Sequence, residues 1–231
     1  MQGKILLMKT ILALETSTDV ASVALMHKNE QKSVELSGVN THSHGLIPAI
    51  ADLLSSFEIE LSDIELIAYG CGPGAFTGVR TACGVVQGLA FGMNIPVLAV
   101  GSLQSQAQAA YEQQGIGESI CVLDARMGEV YWSHLRLVDG KWSEVKQQAL
   151  SLIEDVESYA LQTEVQVVHG TQLVWKDQRS GLLAMPHAKY SLSIARNAAP
   201  FEYSSPAEAQ PVYLRNKVAL TTSERQLAKS E

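Results

Sequence analysis

Leu66-Ile-Ala-Tyr-Gly-Cys-Gly-Pro-Gly-Ala-Phe-Thr-Gly-Val-Arg80 is the stretch around which this chain is organised. Leu66 to Tyr69 is a short apolar run of the kind that forms a buried strand. Gly70, Gly72, Pro73 and Gly74 break it, and a segment of small and apolar residues from Thr77 to Met93 predicts a helix. Strand, glycine turn and helix together bring a backbone or a helix N-terminus close to a phosphate or another chain. The glycines permit positive φ and close approach, while Pro73 fixes one φ and pushes Gly72 toward an extended conformation. Thr77 is the expected N-cap. Arg80 falls in the first helical turn, where the dipole disfavours a cation, so it predicts an anionic partner, either a protein carboxylate or a ligand. The pattern is not G-x-x-x-x-G-K-[ST], and the P-loop reading fails.

The 231 residues suffice for one large or two smaller cores. Hydrophobic content of 46% and charged content of 18% describe a folded chain. A net charge of −7 with no Lys/Arg-rich run argues against gripping nucleic acid unaided. If nucleic acid is involved, a partner is expected to hold it. Cys71, Cys83 and Cys121 are odd in number and lack metal-type spacing, which predicts free thiols in a reducing, cytoplasmic setting. Lys9 and Glu15 interrupt the apolar N-terminal run, so it is read as a strand and not a signal peptide. Met8 is taken as the start, with residues 1–7 an extension. No stretch is long and apolar enough to span a membrane.

Ile11–Leu14, Ala21–Met26 and Val34–Leu36 read as a meander of strands. A helix is expected from His42 to about Phe57, a short turn at Ser62, a strand over Asn94–Val100, and a helix from Ser102 to Gln114. Ile120–Asp124 and Val130–Leu137 then repeat the opening strand–turn–strand, which suggests two related lobes. Weaker elements follow: a helix near 153–161, a strand over 165–169, a helix near 191–197 and a proline-punctuated loop over 200–211. The expected organisation is α/β with mixed sheets. It has an N-terminal lobe over 8–108, a smaller C-terminal lobe over 109–218 and a polar tail over 219–231.

Leu46, Ile50, Leu53, Leu54 and Phe57 form a helical stripe, which Ile47 and Ala49 widen. Val79, Ala82, Cys83, Val85, Val86, Leu89, Ala90, Phe91 and Met93 cover most of the second helix. Such a helix must be covered by its own core or by another chain, and Gly84, Gly88 and Gly92 would let a partner helix approach closely. His42 and His44, two apart, favour a solvated or capping role over ligation.

Taken together, these residues resemble the TsaB (YeaZ) family. The matching pieces are Ile11–Thr18, Tyr69–Arg80, Gln87–Ala90, Asp124-Ala-Arg-Met-Gly-Glu-Val-Tyr131 and Pro211-Val-Tyr-Leu-Arg215. The resemblance implies an actin-like (ASKHA) two-lobed fold. It also implies a part in making N6-threonylcarbamoyladenosine beside the tRNA anticodon. In that family the chain does not perform the transfer: it dimerises with the paralogue TsaD, which carries the active site. TsaE joins the pair, and TsaC-type enzymes supply the threonylcarbamoyl-adenylate.

TsaD-like chains carry a His-x-x-x-His metal site after the strand ending here at Val100. Ser102 and Gln106 occupy those places, and a hydroxyl and an amide are poor substitutes for two imidazoles. No metal site and no catalytic residue are expected. No nucleophile motif supports a protease. The turns Glu15-Thr-Ser-Thr18 and Asp124-Ala-Arg-Met-Gly128 are too bulky for close phosphate approach. Glu15, Ser17, Gly72, Gly74 and Asp124 are read as remnants of a nucleotide cleft, with weak binding and no required cofactor. Asp124 and Arg126 can alternatively pair and pin the second turn.

The partner face is assigned to Leu46, Ile47, Ile50, Leu53, Leu54, Phe57, Val79, Ala82, Val86, Leu89 and Ala90. Without its partner the chain is expected to homodimerise. The alternative is a stand-alone actin-like small-molecule kinase or ATPase.

Overall fold

The computed structural model describes residues 10–36, 44–170, 173 and 181–215. His42 and the tail over 219–231 lie outside them, as do residues 1–9.

The first sheet is built from β1 (Thr10–Glu15), β2 (Ala21–His27), β3 (Glu30–Leu36), β4 (Leu66–Gly72) and β5 (Val97–Gly101), in the order β3-β2-β1-β4-β5. β1, β2 and β3 are antiparallel, while β4 and β5 run parallel to β1. The second sheet holds β6 (Glu118–Arg126), β7 (Glu129–Val138), β8 (Lys141–Leu152), β9 (Val167–His169) and β10 (Leu182–Leu183). Its order, read from its own edge, is β8-β7-β6-β9-β10, with the same antiparallel and parallel halves. Two lobes of one topology thus follow each other, as the repeated hairpin suggests.

Among the described residues five α-helices complete the layers: α1 (Leu46–Ser56), α2 (Phe76–Met93), α3 (Ser102–Gln114), α4 (Ile153–Thr163) and α5 (Ala188–Arg196). A central strand between helical layers must be apolar on both faces, and β1 is buried at every position. Its twofold alternation sends Leu12 and Leu14 to one side, against Leu46, Ile50 and Leu53 of α1 and Val86 and Ala90 of α2. Ile11 and Ala13 go to the other side, against Ala188, Leu192 and Ala195 of α5. In the second lobe, Cys121 and Leu123 face Leu103 and Ala107 of α3, and Ile120 and Val122 face Val156 and Ala160 of α4.

The chain does not divide at residue 108 as the sequence suggests. α3 straddles that point, and the segment after β10 returns to the first lobe. Besides α5, Val97 bridges to Ser204, the Val212 amide donates to the Cys71 carbonyl at 2.7 Å, and Gln87 Nε2 donates to the Ala209 carbonyl at 2.9 Å. The reason is coverage: both early helices lie on one face of the first sheet, leaving the other for α5.

Three local expectations also shift. Thr77 does not cap α2; the N-cap is Ala75, and Thr77 lies inside the helix. Gly72 is not extended but sits at φ +98°, where an added Cβ would lie 3.1 Å from the Val212 carbonyl oxygen. The backbone of the returning segment therefore uses the room this glycine leaves. β8, a twelve-residue strand, has no counterpart in the sequence reading.

Leu192→Ala should lower the stability of the whole chain by about 2–5 kcal/mol, as deletion of a fully buried leucine does. Urea unfolding checks this, and a loss well under 1 kcal/mol would mean that α5 does not close the first lobe.

Candidate functional site

The cleft between the lobes is a cavity of about 680 Å³, within the range of small-molecule sites. Four segments build most of it, the turn after β1, the glycine elbow with the start of α2, the β6–β7 hairpin and the extended chain at Val212–Arg215, and Gly170 and Met185 complete the lining.

The first two are locked together. A Cβ on Gly74 would fall 2.4 Å from the Ser17 carbonyl oxygen, and that oxygen accepts the Ala75 amide at 2.7 Å. Thr16 Oγ1 adds a bond to the Gly78 carbonyl at 2.7 Å. The elbow thus approaches a backbone closely, but that backbone is the protein's own. One of the orphan donors at the start of α2 is spent on Ser17.

Glu15 lies at the end of β1 and is fully buried. Gly70 makes room for it, since a Cβ there would meet the carboxylate at 2.2 Å. The Ser17 amide donates to Oε1 at 2.8 Å, and Ser102 Oγ donates to Oε2 at 3.4 Å. Burial outweighs these bonds and pushes the carboxyl above its ordinary value. Burial also holds the thiols of Cys71 and Cys121 up to about 12 and Cys83 to about 11, so all three are free but inert at neutral pH.

The second hairpin is pinned by its own side chains. Arg126 pairs with Asp124 at 3.1 Å, its amide donates to the same carboxylate at 2.8 Å, and its guanidinium reaches Asp19 at 3.9 Å. Arg126 and Met127 both take left-handed backbone conformations, at φ 67° and 60°, which such residues adopt at a cost. A phosphate-binding turn needs free amides and small residues here, and this one presents a guanidinium and a thioether.

Ser102 and Gln106 are both fully buried on α3 and turned to protein groups. Ser102 serves Glu15, and Gln106 Nε2 donates to the Val122 and Ala184 carbonyls at 3.1 and 3.0 Å. Among the described residues no group of three or more His, Cys, Asp and Glu is placed to hold a metal.

Of the nucleotide-cleft residues, Ser17, Gly74 and Asp124 line the cavity, whereas Glu15 and Gly72 are buried beneath it. The sequence reading assigned no role to Phe76, Tyr213 or Arg215. Pro211-Val-Tyr-Leu-Arg215 was the available signal, but nothing in its composition tells where it runs. Arg215 Nη1 pairs with Glu129 at 2.7 Å and Nη2 donates to the Ala125 carbonyl at 2.9 Å, so the last extended segment ties the second hairpin to the first lobe.

The residues assigned to a partner face separate into two sets. Leu46, Ile50, Leu53, Val79, Ala82, Val86 and Ala90 are buried in the first lobe's own core and are not open to a partner. Leu54, Phe57 and Leu89 are partly buried against that core, and Ile47 is exposed. The outward side of α2 carries Gly84, Gly88 and Gly92, with Phe91 78% and Met93 42% exposed.

Residues 28–199 match the family model described as TsaD, tRNA N6-adenosine threonylcarbamoyltransferase. The tRNA threonylcarbamoyladenosine biosynthesis protein TsaB of Escherichia coli is 36% identical over 222 residues, 90% of this chain and 96% of that protein. Its Haemophilus influenzae counterpart is 33% identical over 225 residues, 90% of this chain and 94% of that one. The solved structure of YeaZ from Pseudomonas aeruginosa superposes with a TM-score of 0.80 at 40% identity, covering 90% of this chain and all of the other.

The buried carboxyl gives a pH prediction. The folded chain holds the Glu15 proton to higher pH than the unfolded chain, whose value is about 4.5. That stabilisation is complete below the unfolded value and is lost as pH rises through the folded one. Glu15→Gln should therefore match the parent near pH 4 and gain stability relative to it as pH rises toward about 8. Urea unfolding across that range tests it, and a pH-independent gap contradicts it.

Proposed function

We infer, from the fact that this chain belongs to the TsaB family of tRNA threonylcarbamoyladenosine biosynthesis proteins, that it is a non-catalytic partner subunit. In this reading it dimerises with a TsaD-type protein, which transfers the threonylcarbamoyl group to N6 of the adenosine next to the anticodon. TsaE joins the pair, and tRNA is reached only through the complex. Alone, the chain pairs with itself. Its place is the cytoplasm, with which the inert free thiols agree; no described helix is long and apolar enough to cross a membrane. No cofactor is required, and nucleotide binding in the cleft is weak.

The observation that carries this is the outward side of α2. Three glycines spaced four apart, each with nothing within 4 Å of an added Cβ, lie beside an exposed phenylalanine and methionine. Glycine within a helix costs about 0.5–1 kcal/mol relative to alanine. Three on one bare face suit a second helix approaching at close range. The non-catalytic reading is supported by Ser102 and Gln106 being committed to protein groups, and by a hairpin turn whose Arg126 amide is spent on Asp124 and which carries a guanidinium and a thioether.

Co-purification tests the pairing. Phe91→Asp and Leu54→Asp should abolish association with a TsaD-type protein while leaving the chain folded. Val86→Asp cannot serve, because Val86 is fully buried and the change would unfold the core. Failure of the parent chain to associate at micromolar concentration would contradict the reading. The kinase alternative rests on the size of the cleft; titration with Mg-ATP and a phosphate-release assay separate the two, turnover favouring the kinase.

A further inference from the structure

Arg80 is the side chain whose place in the fold the pairing reading does not use. With α2 beginning at Phe76, Arg80 falls in its second turn and not, as the sequence suggests, in the first, and among the described residues no carboxylate lies within ion-pair distance of it. The protein instead fixes the guanidinium by stacking. Its central carbon lies 3.7 Å from the centre of the Phe76 ring and 5.3 Å from that of Tyr213. The two rings stand 5.7 Å apart, tilted by 37°, and Nε donates to the Tyr213 hydroxyl. The terminal nitrogens are left without a protein acceptor among the described residues.

This assembly forms a wall of the 680 Å³ cleft. Ser17 lines the same cleft, with its hydroxyl buried beside the Glu15 carboxyl. The first turn of α2 lies between them, and its Phe76 and Thr77 amides have no acceptor within the helix. The other two arginines of the cleft are engaged, Arg126 by Asp124 and Asp19, and Arg215 by Glu129. Asp19 and Asp124, the two carboxylates of the lining, are the ones paired with Arg126, and Val20, Leu123, Tyr131, Met185 and Leu214 supply apolar wall. On a chain of net charge −7, a cation held planar at the edge of an apolar cavity is a local reversal of the general field.

We propose that the cleft binds a small organic anion, with its carboxylate or phosphate on the Arg80 terminal nitrogens and the start of α2, and a flat apolar body against Leu123, Tyr131 and Met185. The site differs from a nucleotide cleft in that its affinity rests on Arg80 and not on the two hairpin turns. It does not depend on pairing with a TsaD-type protein, so either reading can fail alone.

Titration calorimetry on the full chain tests it, with phenyl phosphate, phenylacetate, benzyl alcohol, inorganic phosphate and AMP as probes. At least one of the two aromatic anions should bind, and at least tenfold more tightly than benzyl alcohol or inorganic phosphate. Which one binds tells a phosphate site from a carboxylate site. Arg80→Gln should weaken that anion tenfold or more and leave benzyl alcohol unchanged. Arg80→Lys should fall between, because it keeps the charge and loses the fork. Tyr213→Phe, which removes only the Nε acceptor, should weaken it a few-fold. Arg80 is exposed, so these variants should keep the parent melting temperature. No binding of either anion at millimolar concentration would overturn the proposal. So would equal affinity in Arg80→Gln, or AMP binding that is tight and indifferent to Arg80.

Discussion

Everything in the cleft depends on the contact between the Ser17 carbonyl and the start of α2. Gly74 has no Cβ, so the turn after β1 can press its backbone against the elbow, and the Ala75 amide closes the bond. That contact sets the pitch of α2 against the first sheet. It fixes where Arg80 and Phe76 emerge, and it spends the Ala75 amide on the Ser17 carbonyl while leaving the amides that follow without an acceptor within the helix. Part of a strand–glycine–helix unit suited to a ligand has here become frame.

The frame has two copies of one topology. In each lobe the central strand is apolar on both faces, and helices cover both. The first lobe is completed only when α5 returns after the second sheet is made. The closing segment then runs over the elbow to the second hairpin, where Arg215 meets Glu129. The two lobes are therefore tied at both ends of the cleft, by α3 beneath and by the last extended segment above.

Much of this was legible in the sequence, for physical reasons. Buried strands such as Ile11–Leu14 and Leu66–Tyr69 are apolar whichever face is considered, so they stand out. The family resemblance rested on glycines and a hairpin motif whose geometry tolerates few alternatives. β8 was not legible because it is an edge strand exposed along most of its length, with two register shifts and no alternation to read. The two sides of α1 and α2 could not be told apart because both are apolar: Val86 and Phe91 look alike in a helical stripe, yet one is wholly buried and the other 78% exposed. For Arg80 the sequence suggests an anionic partner, whereas the structure shows an aromatic clamp whose second ring comes from residue 213, a separation no local pattern can reveal.

The central claim is that this chain supports threonylcarbamoyl transfer to tRNA as a partner and not through chemistry of its own. The most direct test is reconstitution of the modification from purified components, with threonylcarbamoyladenosine quantified by mass spectrometry. Product should form only when the chain is present and should be undiminished when Asp124→Asn removes the hairpin carboxylate. Loss of product with Asp124→Asn, in a chain that still pairs with its partner, would contradict the account.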